Sequence, residues 1–288
     1  MIIPAHKESV KTFVVDLITK YTDSSVQDAS ETKVILPKLN SILVEVIKKE
    51  LNCNWRSAIQ DLCTSSYNNQ EICENNMNIL RMLSEDLFDF SKSEITSTKT
   101  KELKTNFAQD FTTIYQLCDY ILKNHISTPG TVKISLVKST LKTLLTFLSW
   151  MPLTYVFVSD LIEQILLVLV TDRKFTNLVL KCLSEIAGLE FQNLGNADDQ
   201  RHIQMKMLSM ISVFMQKIQE MVYLKIDMNM ERKQKLAAND TNDLAHFDNF
   251  CKDLAGFFIT FYRSNLNWIE DYATMSAINN NKEINIME

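Results

Sequence analysis

Glycine and proline are nearly missing from this sequence, with four of each among 288 residues. Barrels, sandwiches and open α/β sheets need turn glycines every few residues, so this scarcity argues against them and for long helices with few breaks. Long apolar runs are lacking too. The richest, around Leu161, is interrupted by Glu163 and Gln164 and falls short of the roughly 20 residues a membrane span needs. No secretory signal peptide is expected. Positive charge is not in excess. The net charge of −5 gives no global attraction to nucleic acid or to an anionic membrane.

Metal and redox motifs are also wanting. Six cysteines (Cys53, Cys63, Cys73, Cys118, Cys182, Cys251) form no CxxC pair, and most fall on apolar faces. Reduced, buried thiols of a cytosolic or nuclear protein are the expectation. The four histidines, His6, His125, His202 and His246, stand apart, without ligand spacing for a metal. No GxGxxG, GxxxxGK[ST] or GxSxG occurs. No cofactor, metal or catalytic residue is therefore expected, and the chain is read as a non-enzyme.

What is present is helical periodicity. From Thr140 to Gly188 the pattern predicts three helices joined by short turns. Leu141, Leu144, Leu145 and Leu148 stripe the first, which ends before Pro152. Asp160 is placed to open the second as a cap or first-turn acid. That helix, through Leu161, Ile165, Leu166, Leu169 and Val170, is apolar nearly all round and must be covered on most sides. The third runs from about Phe175 to Ala187, with Gly188 expected to end it in left-handed geometry. Trp150 is expected to plug the corner between stacked helices.

Before this block, helices are predicted over about Glu8–Tyr21, with Phe13, Val14, Leu17 and Ile18 inside, and Thr32–Leu51, with Leu39, Ile42, Leu43 and Ile47 inside. Others follow over Ser57–Ser65, Gln70–Phe88 and a long Lys101–Asn124, which Pro129 and Gly130 close off. After it come Gln200–Leu224, with a methionine stripe (Met205, Met207, Met210, Met215, Met221) assigned to the core, and Leu244–Tyr272. Ser91–Thr100 and Gln192–Asp199 read as loops, and the weakly periodic Asp227–Asp243 as a loop with room for local helix. Residues 1–272 are expected to form one helical solenoid, and 273–288 a frayed C-terminal segment. The first helix arrives without a capping element, as in a chain that begins partway along a stack.

Leu80-x-x-Leu83-Ser84, Leu145-x-x-Leu148-Ser149 and Leu180-x-x-Leu183-Ser184 each fall late in a helix. Together with the paired helices they indicate stacked hairpins of the HEAT or armadillo sort, with repeats of roughly 40–47 residues. The fold class is therefore all-α, a right-handed α-α superhelix of about five hairpins. Within Gln70–Phe88, Glu71, Glu74, Asn78, Arg81 and Glu85 stack on one polar face. The bland reading of that row is a solvated surface. The adjacent carboxylates Glu85 and Asp86 point apart and are not expected to share a proton. Lys133, Lys138 and Lys142 form a small basic cluster without interleaved exposed aromatics, so direct nucleic-acid binding is not expected.

The strings KLNSILVEVIKKE (Lys38–Glu50), ENNMNILRMLSEDLFDFS (Glu74–Ser91), IYQLCDYIL (Ile114–Leu122), LKTLLTFLSWMPLTYVF (Leu141–Phe157) and NLVLKCLSEIAG (Asn177–Gly188), with Trp55, resemble the exportin-1 family of nuclear export receptors. That family sits within the importin-β (karyopherin) superfamily. His125–Ser139 is longer than the family's pattern, and the loop around Asp227–Asp240 diverges. The resemblance implies a stretch of early repeats, roughly the second to the sixth of a longer stack. It implies a shuttling receptor of nucleus and cytoplasm that carries leucine-rich export-signal cargo with Ran-GTP and passes nucleoporins. It also implies that the export-signal groove lies in later repeats. In such a stack the second helix of each hairpin lines the concave side, which would turn Glu71, Glu74, Asn78, Arg81 and Glu85 toward Ran. A helical-repeat scaffold for another protein partner remains the alternative.

Overall fold

A computed structural model describes residues 4–22, 29–88, 105–189, 191, 196–235 and 241–286, with side chains over 8–22, 30–88, 105–189, 191, 196–220 and 248–270. The predicted loop Ser91–Thr100, residues 192–195 of the predicted loop Gln192–Asp199, and the side chains of Met221 and Phe247 lie outside the described residues, while residues 197–199 already belong to a helix. Among the described residues every regular element is helical. The chain divides into two compact units, Met1–Tyr155 and Val156–Glu288.

The first unit holds α1 (Pro4–Thr22), α2 (Ala29–Glu50), α3 (Ala58–Ser65), α4 (Gln70–Phe88), α5 (Phe111–Ser127) and α6 (Ile134–Leu148). They pack as three successive hairpins, α1–α2, α3–α4 and α5–α6. The second helices form a layer in which α4 lies against both α2 and α6, while α3 packs on α5. Polar bonds fix the direction of that layer. Ser135–Glu74, Thr143–Met77 and Trp150–Ser84 climb both partners together, so α4 and α6 run parallel. Asn40–Asn75 and Lys48–Asp86 do the same for α2 and α4.

The core follows the apolar stripes. Ile47, Leu51, Ile59, Met77, Phe107, Phe111 and Phe147 are fully buried. Each such burial contributes roughly 1.5–3 kcal/mol, which no hairpin can gain alone. Two residues depart from the expected inside. Phe13 is 63% exposed and Ile42 is 48% exposed. Their helices bury Val14, Ile18, Leu43 and Ile47 instead, since each stripe is wider than the face its neighbour covers.

The long helix expected through Asn124 is broken. Residues 105–109 are helical, Asp110 is a turn, and α5 begins at Phe111. The Asp110 carboxylate is buried at the break and takes Nη1 of Arg56 at 2.8 Å, a tie that reaches back to the start of α3. Gly130, expected with Pro129 to close off this helix, has φ of +92°, a backbone conformation that favours glycine.

A short helix, α7 (Leu153–Phe157), spans the boundary between the units. The predicted helix after Asp160 is not regular. Leu161–Leu166 form a π-helical turn, followed by α-helical Leu167–Leu169. Its wider turn lets Leu161, Ile162, Ile165 and Leu166 all point inward. Asp160 sits at the N-cap but its side chain makes no capping bond; the Ser159 hydroxyl accepts the Leu161 N–H at 3.2 Å instead.

The second unit continues with α8 (Thr176–Ala187), α9 (Ala197–Lys235) and α10 (Thr241–Ile286). Here three expectations are corrected. Gly188 ends α8 with φ of −87°, not in left-handed geometry. A Cβ there would meet Thr260 Cγ2 at 3.2 Å, so the glycine serves the close approach of α10. The supposed loop Asp227–Asp243 is helical through Lys235, and α10 passes Tyr272 to Ile286. Both segments lose their apolar stripe, but neither contains glycine or proline, so nothing in them breaks a helix already propagating. The methionine stripe is split. Met207 and Met210 are buried, whereas Met205 and Met215 are about half exposed.

Asn265 closes this unit. Buried on α10, its Nδ2 donates to the carbonyl of Ala187 at 2.8 Å, and its Oδ1 accepts Nε1–H of Trp268 at 2.9 Å. The end of α8 is thus satisfied by a side chain from α10.

Candidate partner-facing surface

Helix α4 carries the five polar residues singled out in the sequence. Asn69 starts it, its Oδ1 accepting the N–H groups of Glu71 at 2.7 Å and Ile72 at 3.3 Å. The apolar side then fixes the helix by rotation. Met77, Ile79, Leu80 and Leu83 are fully buried, which leaves the polar row on the side of α4 flanked by α2 and α6.

The row is not simply solvated. Glu71 pairs with the Lys133 ammonium at the start of α6. Glu74 Oε2 accepts the Ser135 hydroxyl at 2.6 Å. Asn78 Nδ2 donates to the Glu74 carbonyl at 3.0 Å. Arg81 Nη1 donates to Glu85 Oε1 at 3.0 Å, one turn further on. The structure therefore brings all five residues onto one face, but uses Glu71 and Glu74 to bind α4 to α6. Arg81 and Glu85 form the more open end, with side chains 32% and 45% exposed. Arg81 Nε, shielded from solvent, has no hydrogen-bond partner among the described residues.

Asp86 of α4 joins an ion pair of α2, and that pairing was not legible in the sequence. Lys48 of α2 donates to Glu45 at 2.7 Å and to Asp86 at 3.1 Å. Partial burial works to lower the Lys48 pKa, and its bonds to Glu45 and Asp86 outweigh that and raise it. Pairing across 38 residues leaves no local sequence signal. Of the Lys133, Lys138 and Lys142 cluster, Lys133 is spent on Glu71, and Lys142 is exposed on α6.

Burial pushes the Cys63 and Cys182 thiols up to about 12 and Cys73 up to about 11, and drives Cys118 higher still. Cys53 and Cys251 are exposed, and all six are free thiols. Among the described residues no three His, Cys, Asp or Glu side chains gather as a metal site would require, and no helix is long and apolar enough to cross a membrane. The surface offers charge and shape.

Comparison with known proteins places these features. The family described as "Exportin 1-like protein" matches residues 32–183, which include most of α2 and all of α4 and α6. Exportin-1 of Drosophila melanogaster is 43% identical over 186 residues, 65% of this chain and 17% of that protein. Exportin-1 of Dictyostelium discoideum is 40% identical over 197 residues, 66% of this chain and 18% of its own length. Protein EXPORTIN 1B of Arabidopsis thaliana is 34% identical over 264 residues, 92% of this chain and 22% of that protein. The chain thus spans about a fifth of the length of these relatives. With its hairpins, its α4 surface and more than half of its residues inside one family match, this chain belongs to the Exportin 1-like protein family.

Proposed function

We propose that residues 1–272 act as a helical-repeat scaffold of a nuclear export receptor, contributing to the binding of Ran-GTP. The observation that carries this reading is the family match over residues 32–183, which covers most of α2 and all of α4 and α6. In this reading the receptor carries leucine-rich export-signal cargo between nucleus and cytoplasm and passes nucleoporins. Ran-GTP and cargo each raise the other's affinity, a reciprocity that thermodynamics requires. Hydrolysis in Ran removes one ligand and releases the other. The scaffold itself makes and breaks no bonds.

Glu71, Glu74, Asn78, Arg81 and Glu85 face Ran in this proposal. Glu71 and Glu74 hold α4 and α6 in register, and Arg81 and Glu85 supply the contact.

The test immobilises the chain and offers Ran loaded with GTP or GDP. The GTP form is expected to bind at least about tenfold more tightly, a difference of roughly 1.4 kcal/mol. Equal capture of both forms refutes the Ran reading and favours a scaffold for another partner. Arg81→Glu with Glu85→Lys preserves net charge and should weaken capture, and unchanged capture removes the row from the interface.

A further inference from the structure

The first unit holds a cavity of about 360 Å³ beside the start of the α4 surface row, between the α3–α4 turn, the later part of α5 and the α5–α6 loop. None of its lining residues is charged, although 23% of the chain is. Its volume falls in the range of small-molecule sites. Tyr67 and Tyr120 stand at the rim, each about half exposed, with ring centroids 5.2 Å apart at 62°. Leu117, Ile121 and Leu136 make an apolar floor with the buried Cys73.

The polar lining divides into groups already spent and groups left open. Gln70 is spent: its Nε2 donates to the Thr131 carbonyl at 2.8 Å and its Oε1 accepts the Lys133 N–H at 2.8 Å. Those bonds fix the α5–α6 loop against α4, so the bowl is formed in advance of any ligand. The carboxamides of Asn68 and Asn124 make no side-chain hydrogen bond among the described residues. Each offers both a donor and an acceptor.

We propose that this cavity binds a neutral sugar, an N-acetylhexosamine fitting it best. A charged ligand finds no counter-ion in the lining. An apolar side chain inserted from a peptide would fill the floor, but would strip water from both carboxamides and pair neither. Sugar hydroxyls both donate and accept, and satisfy both carboxamides. The C–H face of the ring lies against a tyrosine, whose hydroxyl adds a further partner. The acetamido methyl reaches the floor of Leu117 and Ile121.

Saturation-transfer NMR on the full chain tests this, with methyl N-acetyl-β-glucosaminide as probe. Glucose 6-phosphate and N-acetylphenylalaninamide serve as charged and apolar comparators. The probe is expected to bind with a Kd of about 1 mM, its acetamido methyl receiving the strongest transfer. Tyr120→Ala and Asn124→Ala should each weaken it about tenfold. Asn68→Ala, at an exposed turn position, should weaken it as well and keeps the test sound if the others misfold. A serine peptide bearing the same sugar, set beside the bare peptide, separates a protein-linked glycan from the free sugar as the source. No transfer at about ten times that concentration, equal binding of glucose 6-phosphate, tighter binding of N-acetylphenylalaninamide, or indifference to Asn68→Ala would each overturn the proposal.

Discussion

Trp150→Ala is the most informative single perturbation of the first unit. The indole stacks on Phe88, with centroids 4.1 Å apart and planes within 2°. It also meets Phe107, Phe111 and Phe147 with centroids 5.2 to 5.5 Å away. Its Nε1–H donates to Ser84 Oγ at 2.8 Å, and Ser84 is fully buried on α4. Truncating a large aromatic in such a cluster costs roughly 3–5 kcal/mol. The indole is only partly buried, which pulls the expectation toward the lower end. Trp150→Phe keeps most ring contacts but leaves the Ser84 acceptor unmet, a loss of about 1 kcal/mol. Urea unfolding followed by far-ultraviolet circular dichroism reads both values from midpoint and slope. A loss below about 1 kcal/mol for Trp150→Ala would refute the view that this residue locks α4 to α6.

Asn40 and Asn75 exchange two hydrogen bonds, at 2.7 and 3.0 Å, in the buried seam between α2 and α4. Asn75→Ala strands one buried carboxamide and should cost about 1–3 kcal/mol in urea unfolding. The double change to leucine should cost less than the two single changes summed, and strict additivity would show that the pair is not coupled. With Ellman's reagent at pH 8 the native chain should expose Cys53 and Cys251 quickly and the other four thiols only on adding urea. Rapid reaction of Cys73 would contradict its burial. The pH dependence has a definite sign. Cys63, Cys73, Cys118 and Cys182 hold their protons more tightly folded than unfolded, so their contribution is full below the ordinary thiol value of 9.0 and is lost above it. Stability should therefore fall as pH rises from about 9 toward 12, measured by urea midpoints in a reducing buffer.

Helices with strong apolar stripes were legible from the residues alone. Gln70–Phe88 is legible to both its ends because Ile72, Cys73, Ile79, Leu80, Leu83 and Leu87 mark one side, whereas the Asn69 cap and the buried Met77 emerge only from the structure. What a stripe cannot report is how much of it a neighbour covers. Phe13 and Ile42 continue their stripes but face outward, because burial is decided by a helix elsewhere in the chain. Helix ends fared worst where no breaker stands. Residues 227–235 and the stretch from Tyr272 to Ile286 have no apolar pattern, and backbone hydrogen bonding carries them on as helix. For the surface row, spacing sufficed to put five side chains on one face. Which of them remain open depended on Lys133 and Ser135, some 60 residues away, and no local pattern encodes that.

The parallel layer of α2, α4 and α6 has two seams of unequal character. Along the α4–α6 seam directional bonds are spread over the whole length, from Ser135 through Thr143 to Trp150. The α2–α4 seam has the Asn40–Asn75 pair near its middle and the Lys48–Asp86 bridge toward one end. Sliding α6 past α4 must break several short-range bonds at once, whereas α2, held by fewer directional bonds, can pivot about its amide pair at the loss of the Lys48–Asp86 bridge. Mechanical compliance in this unit is thus concentrated at its first hairpin. Pulled or bent by a partner wrapped against it, the unit yields there while the α3-to-α6 block moves as a piece.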